Sequence, residues 1–192
     1  MYKWIRRLSL GMAILGGLVL TALIGVVCMS VLGRGLNGAM HGAIGDIWPG
    51  FAQWALERGV GPINGDFELV ESGVAFAIFA FMPLCQLSAG HAAVDIFTSK
   101  LPMRLNRILR MVTDLIFAAV LILIAVQLNA GLQSKLRYGE TTFLLQFPIW
   151  WAYAASLFGA ATAAVVGVYV AVVRIAEVAT ARAILPIEDA AQ

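Results

Sequence analysis

Few side chains in this sequence can carry chemistry, and their spacing is poor for it. The two histidines, His41 and His91, fall after the first and second long apolar runs. A bis-histidine haem needs both ligands at matched depth between helices, which these positions do not offer. Glycine-rich phosphate loops, zinc-ligand spacings and Ser-His-Asp arrangements are lacking. Cys28 and Cys85 stand near opposite ends of their apolar runs, on the order of 20 Å apart in depth, too far for a disulfide. No catalytic residue, cofactor or metal site is expected.

Polar groups inside the apolar runs are also few: Gln86, Asp114, Gln127 and Asn129. A charge within a membrane is a functional candidate by default because its desolvation is costly. Asp114, however, lies about one helical turn from Arg110 and two from Arg107, so an i,i+4 ion pair at a helix end is the expected arrangement. A self-sufficient transport path needs ionisable groups or broken helices at the midplane, and none of the apolar runs has an acid near its centre. Pro83 is expected to kink the second run.

These residues must be positioned by membrane helices. Of the 192 residues, 61% are hydrophobic and 12% charged, with a net charge of +2 and a mean hydropathy of +0.88. A soluble domain carries roughly 25% charged residues. The composition excludes a disordered chain and a basic nucleic-acid-binding domain. Apolar runs cover residues 8–32, 69–87, 108–132 and 148–173, each about 20 residues or more and enough to cross a bilayer as a helix. A single all-α membrane domain over residues 1–192 follows, with helices 2, 3 and 4 as antiparallel neighbours joined by short loops.

Lys and Arg are retained on the cytoplasmic side. With both termini cytoplasmic, Lys3, Arg6, Arg7, Lys100, Arg104, Arg107, Arg110, Arg174 and Arg182 lie inside, and only Arg34, Arg58, Lys135 and Arg137 lie outside. The opposite orientation inverts that ratio. The first run is too long for a signal peptide and reads as an uncleaved first helix.

The outer segment 33–67 is long. Ile44, Ile47, Trp48, Phe51, Trp54 and Ala55 recur at helical spacing over about 43–58, which suits a helix lying in the headgroup layer, although Pro49 interrupts it. Two stripes of small residues repeat every four positions: Ala13, Gly17, Thr21 and Gly25 in helix 1, and Ala155, Gly159, Ala163, Gly167 and Ala171 in helix 4. Such stripes let helix backbones approach closely, within the chain or against a partner. Glu68 and Glu71 suit the N-terminal end of helix 2, with Asp66 as its cap and Arg34 placed to pair with Glu68 or Glu71. Trp150, Trp151 and Tyr153 read as an interfacial belt, and His91 and Asp95 are spaced to bond across one helical turn.

In order along the chain, the polar landmarks resemble the small membrane subunit of tripartite ATP-independent periplasmic (TRAP) transporters. Gly33-Arg34-Gly35-Leu36-Asn37 follows helix 1, and Asp66-Phe67-Glu68-Leu69-Val70-Glu71 opens helix 2. Gly90-His91-Ala92-Ala93-Val94-Asp95, then Leu101-Pro102 and Arg104, fill the inner loop. Gly139-Glu140-Thr141-Thr142, Leu145 and Pro148-Ile149-Trp150 precede helix 4. The likeness covers about residues 8–175. It departs beside Arg34, where Gly35 and Leu36 replace aromatics, at Ser88-Ala89, where a basic residue is missing, and in the longer outer loop 40–64.

The resemblance implies a non-catalytic small permease subunit of a sodium-coupled symporter for organic acids, in a bacterial inner membrane. Its partners are a large multi-span membrane subunit, which holds the substrate and sodium sites and moves as an elevator, a periplasmic substrate-binding protein, and the surrounding lipids. On residues alone, a haem- or quinone-binding anchor of an oxidoreductase and a self-contained small channel or exporter stay open.

Overall fold

A computed structural model describes residues 2–88 and 102–180. The six helices in chain order are α1 (Tyr2–His41), α2 (Ala43–Ile47), α3 (Pro49–Glu57), α4 (Asp66–Leu87), α5 (Met103–Tyr138) and α6 (Trp150–Thr180). Of these, α1, α4, α5 and α6 are long and apolar enough to cross a membrane. Three of the four outrun their apolar cores, because the helical ladder continues through charged residues that water can solvate. Thus α1 runs for 40 residues and α5 for 36. Gly65 in the left-handed conformation (φ 81°) precedes α4. Gly139 (φ 62°) ends α5 and donates its N–H to the Lys135 carbonyl, the geometry only glycine adopts without strain.

The four long helices form an open row, α1–α4–α6–α5, each packed chiefly on its neighbours in that order. Lipid offers helices no hydrophobic drive to associate, so close approach of backbones does the work. Glycines mark each seam. A Cβ on Gly16 of α1 would sit 2.9 Å from Ala80 of α4, and one on Gly73 of α4 would meet Leu23 at 2.7 Å. On α6, Gly159 faces Phe79 and Ala80 of α4, while Gly167 faces Leu121 and Ala118 of α5. Gly131 of α5 faces the Tyr153 ring of α6.

This arrangement corrects the expected antiparallel trio. α4 and α6 run parallel, Phe79 beside Gly159 and Met82 beside Ala163 and Ala164, and α4 scarcely approaches α5. α6 takes the central place because small residues ring most of its circumference: Gly159, Ala160, Ala163, Ala164, Gly167 and Ala171 are buried. Only one ridge stays exposed, through Trp151, Phe158, Val165, Val168, Val172 and Ile175.

The two small-residue stripes fare differently. In α6, Gly159, Ala163, Gly167 and Ala171 are used inside the chain. In α1, Gly17 and Gly25 have nothing within 4 Å of an added Cβ, and it is the adjacent row, Met12, Gly16 and Ser30, that is buried.

The outer segment is helical over 43–57, in two pieces. Pro49 occupies the first turn of α3 and breaks it from α2. Ala52 and Ala55 turn onto Met40 at the end of α1, with Ile44, Leu56 and Val60 packed around them. The larger apolar side chains Ile47, Trp48, Phe51 and Trp54 stay exposed. Phe51 stacks on Trp54, and the Arg58 guanidinium lies 4.5 Å over the Trp54 ring.

Candidate functional site

The charged groups of the four long helices collect at two ends of the row, and among the described residues none lies midway along a spanning helix. At one end, Asp66, in the first turn of α4, accepts a hydrogen bond from the Ser30 hydroxyl of α1. Its other oxygen accepts from the Phe67 N–H at 2.8 Å. The Arg34 guanidinium is 3.9 Å from the same carboxylate. Arg34 therefore pairs with Asp66, not with Glu68 or Glu71, because Asp66 stands opposite Ser30, one turn of α1 before Arg34. Nor is Asp66 the helix cap: Gly65 holds that position without a side-chain bond, and Asp66 is turned toward α1. The chain returning from α3 is tied down beside it, Asn37 Nδ2 donating to the Val60 carbonyl at 3.0 Å and Ile63 N–H to the Ser30 hydroxyl at 3.3 Å.

Glu68 performs a different task. Its two carboxylate oxygens accept the backbone N–H groups of Leu144 and Leu145, at 2.7 and 2.9 Å. The loop between α5 and α6 is closed on itself by Thr142 N–H to Phe147 O and Ile149 N–H to Glu140 O, both at 3.0 Å. Lys135 at the end of α5 bonds Glu140. A carboxylate that takes two aligned N–H donors is a strong, charge-assisted clamp, so Glu68 pins this loop to the first turn of α4. Leu145 covers Gly65, where a Cβ would lie 2.4 Å from its Cγ.

Beneath the clamp is a cavity of about 320 Å³, whose walls include Glu68, Glu71, Phe79, Leu128, Tyr153 and Ser156. Trp150 and Trp151 meet edge to face at its level, with Trp151 exposed. The sequence reading missed this cavity. The signal was available only in three dimensions, since its walls come from three helices and a loop.

At the opposite end, Asp114 departs from expectation. Its carboxylate pairs with Arg174 of α6 at 3.1 Å, and Arg174 also bonds Glu177 at 2.8 Å. The antiparallel register of α5 on α6 puts Asp114 opposite Arg174, a partner beyond the reach of helical spacing. Glu177 was not anticipated as part of this cluster, and it is 3% exposed. Gln86 is buried in α4. His91 and Asp95 lie outside the described residues. Among those described, no group of three or more His, Cys, Asp or Glu side chains could hold a metal ion, and Cys28 and Cys85 form no disulfide.

The family model described as tripartite ATP-independent periplasmic transporters, DctQ component, matches residues 51–178. The chain belongs to this family. The match takes in α4, α5 and nearly all of α6, and so carries the Asp114–Arg174–Glu177 cluster, Asp66 and the Glu68 clamp, but not Ser30 or Arg34. It leaves α1 and α2 outside. DctQ proteins are transporter components, not enzymes, and this chain is accordingly the small permease component of a TRAP transporter, which sets aside the oxidoreductase anchor that the helices alone left open. Neither the curated proteins nor the solved structures compared with the chain give a match.

Proposed function

We propose that this chain is a non-catalytic scaffold for the large, elevator-type membrane subunit of a sodium-coupled, binding-protein-dependent importer of organic acids. The observation that carries the reading is the DctQ family match across α4, α5 and α6. It is supported by where the charges stand: at both ends of the row and away from the middle, where a sodium or substrate path needs ligands. On this reading the large subunit supplies transport chemistry, and the open row braces it in the bilayer.

Both termini face the cytoplasm and the protein resides in the inner membrane, as the excess of Lys and Arg at the Arg174 end favours. The Asp66 end, with the Glu68 clamp and the α2–α3 cap, then faces the periplasm, where a substrate-binding protein delivers its cargo. Arg34, Asn37, Asp66 and Glu68 hold the periplasmic loops in shape, and Glu71 and Trp150 are available to the partner subunits.

Reconstitution tests the proposal. Proteoliposomes with the large subunit, this chain and the binding protein should take up organic acid only with an inward sodium gradient. Uptake of equal rate without this chain, or a tagged chain that stays folded and never brings down a large multi-span protein, would refute it.

A further inference from the structure

Among the described residues α5 is the end of the row, with α6 as its one substantial neighbour. Its spanning part is bracketed by charge: Asp114 pairs with Arg174 at one end and Lys135 pairs with Glu140 at the other. The stretch from Asp114 to Lys135 measures about 32 Å at 1.5 Å per residue, matching the hydrocarbon thickness of roughly 30 Å. Gln127 therefore lies about 12 Å, and Asn129 about 9 Å, inside the Lys135 border. Both side chains are exposed, and neither forms a hydrogen bond with another described residue.

Hydrocarbon cannot satisfy such groups. A side-chain amide transferred there without a partner is strongly disfavoured, and these two are too deep, on stems too short, to reach the headgroups. The residues between and around them set their directions. Leu121 and Leu128 mark the α6-facing side of α5, Leu121 being buried against Ala163 and Ala164. Gln127 and Asn129 are the positions before and after Leu128, each about 100° away around the helix, so they occupy opposite flanks of the α6 contact.

We propose that α5 is the seam with the large membrane subunit, whose spanning helices grip it on both flanks and hydrogen-bond to the Gln127 and Asn129 amides within the bilayer. Apolar packing in lipid gives little register, whereas buried amides fix depth and rotation. The partner is a membrane-spanning protein and not a soluble one, because the amides lie below the border. The inference rests on the scaffold reading above and adds which helix carries the load.

The test uses the tagged complex, purified in mild detergent, with Gln127→Leu and Asn129→Leu alone and together. The chain itself should unfold at an unchanged or higher temperature, since leucine removes an unsatisfied amide. Recovery of the large subunit should fall about tenfold in the double variant and measurably in each single one. Wild-type recovery with the double variant would overturn the proposal, and loss confined to one position would overturn the two-sided grip. Cysteines placed at 127 and 129 should crosslink to the large subunit; crosslinks between two copies of this chain would assign the face to self-association instead. If the wild-type chain recovers no large subunit at all, it is the scaffold reading that fails.

Discussion

Asp114 on α5 and Arg174 on α6 are 60 positions apart in the chain and 3.1 Å apart in space, and they close one end of the helix row. Arg174 lies between two carboxylates, with its side chain 12% exposed and that of Glu177 3% exposed. The arrangement is asymmetric in what it tolerates. Replacing Asp114 by Asn leaves Arg174 with Glu177 and a neutral acceptor, for about 1 kcal/mol. Replacing Arg174 by Met strips the cation from two acids in a poorly hydrated place, for about 3 kcal/mol or more. Thermal unfolding of the solubilised chain should show Arg174→Met melting roughly 6–12 °C lower, and Asp114→Asn less than half of that. The reverse order would mean that the pair is not organised around the arginine.

The sequence showed where such charges sit but not whom they meet. Asp114 has Arg110 one turn away, and helical spacing alone favours that neighbour. Only the contact face of α5 on α6 brings in Arg174, and a face is set by packing over the whole helix. The same limit applies to glycines. The α6 stripe was legible because every fourth residue is small, and it is used from Gly159 to Ala171, while Ala155 stays exposed. The α1 stripe has the same form, yet the seam runs one residue over through Gly16, because Ala77, Ala80 and Phe81 of α4 shape the groove there. Asp66 was misread as a cap since a cap and a first-turn acid differ by one position, and Gly65 claimed the first. The four spans were legible throughout, being fixed by length and hydropathy.

Those glycines make a paired prediction. On Gly159 even a Cβ would lie 2.8 Å from the Phe79 Cβ and 3.2 Å from its carbonyl carbon, so Gly159→Leu must push α4 and α6 apart. Overpacking of this kind costs about 1–3 kcal/mol or more. A Cβ on Gly17 would meet nothing within 4 Å, so Gly17→Leu should leave the melting temperature of the isolated chain at, or a few °C above, that of the wild type, leucine being intrinsically the better helix former. Equal destabilisation by the two would contradict the seam described for α1 and α6.

The Glu68 clamp predicts local rather than global loosening. Glu68→Gln keeps one acceptor oxygen and loses the charge, so one of the two loop N–H bonds is lost and the other weakened. A neutral amide is a weaker acceptor than a carboxylate, so the loop is held less firmly to the first turn of α4. Amide exchange at Leu144 and Leu145 should speed up by roughly tenfold, while amides in the middle of α6 stay protected. Exchange that rises equally everywhere would point to a failed fold, and exchange that does not change would remove Glu68 from its role as a clamp.

Gly33 and Gly61 face each other where the chain returns from α3 along α1, and they should respond unequally to the same substitution. A Cβ on Gly33 would fall 2.1 Å from the Gly61 carbonyl oxygen, a backbone atom that cannot rotate away, whereas a Cβ on Gly61 meets only Asn37 Nδ2 at 3.5 Å, an ordinary contact. Gly33→Ala must therefore lift the returning segment and strain both bonds that hold it, Asn37 to Val60 and Ile63 to Ser30. Each is worth about 1 kcal/mol, so opening of the segment becomes on the order of ten times more frequent or greater. Arg58 sits exposed just ahead of it, and trypsin reads that opening directly. Cleavage after Arg58 should accelerate about tenfold in Gly33→Ala and stay near the wild-type rate in Gly61→Ala, with Asn37→Ala in between. Similar rates for the two alanine variants would show that the close approach of Gly33 to the returning chain does not hold the segment in place.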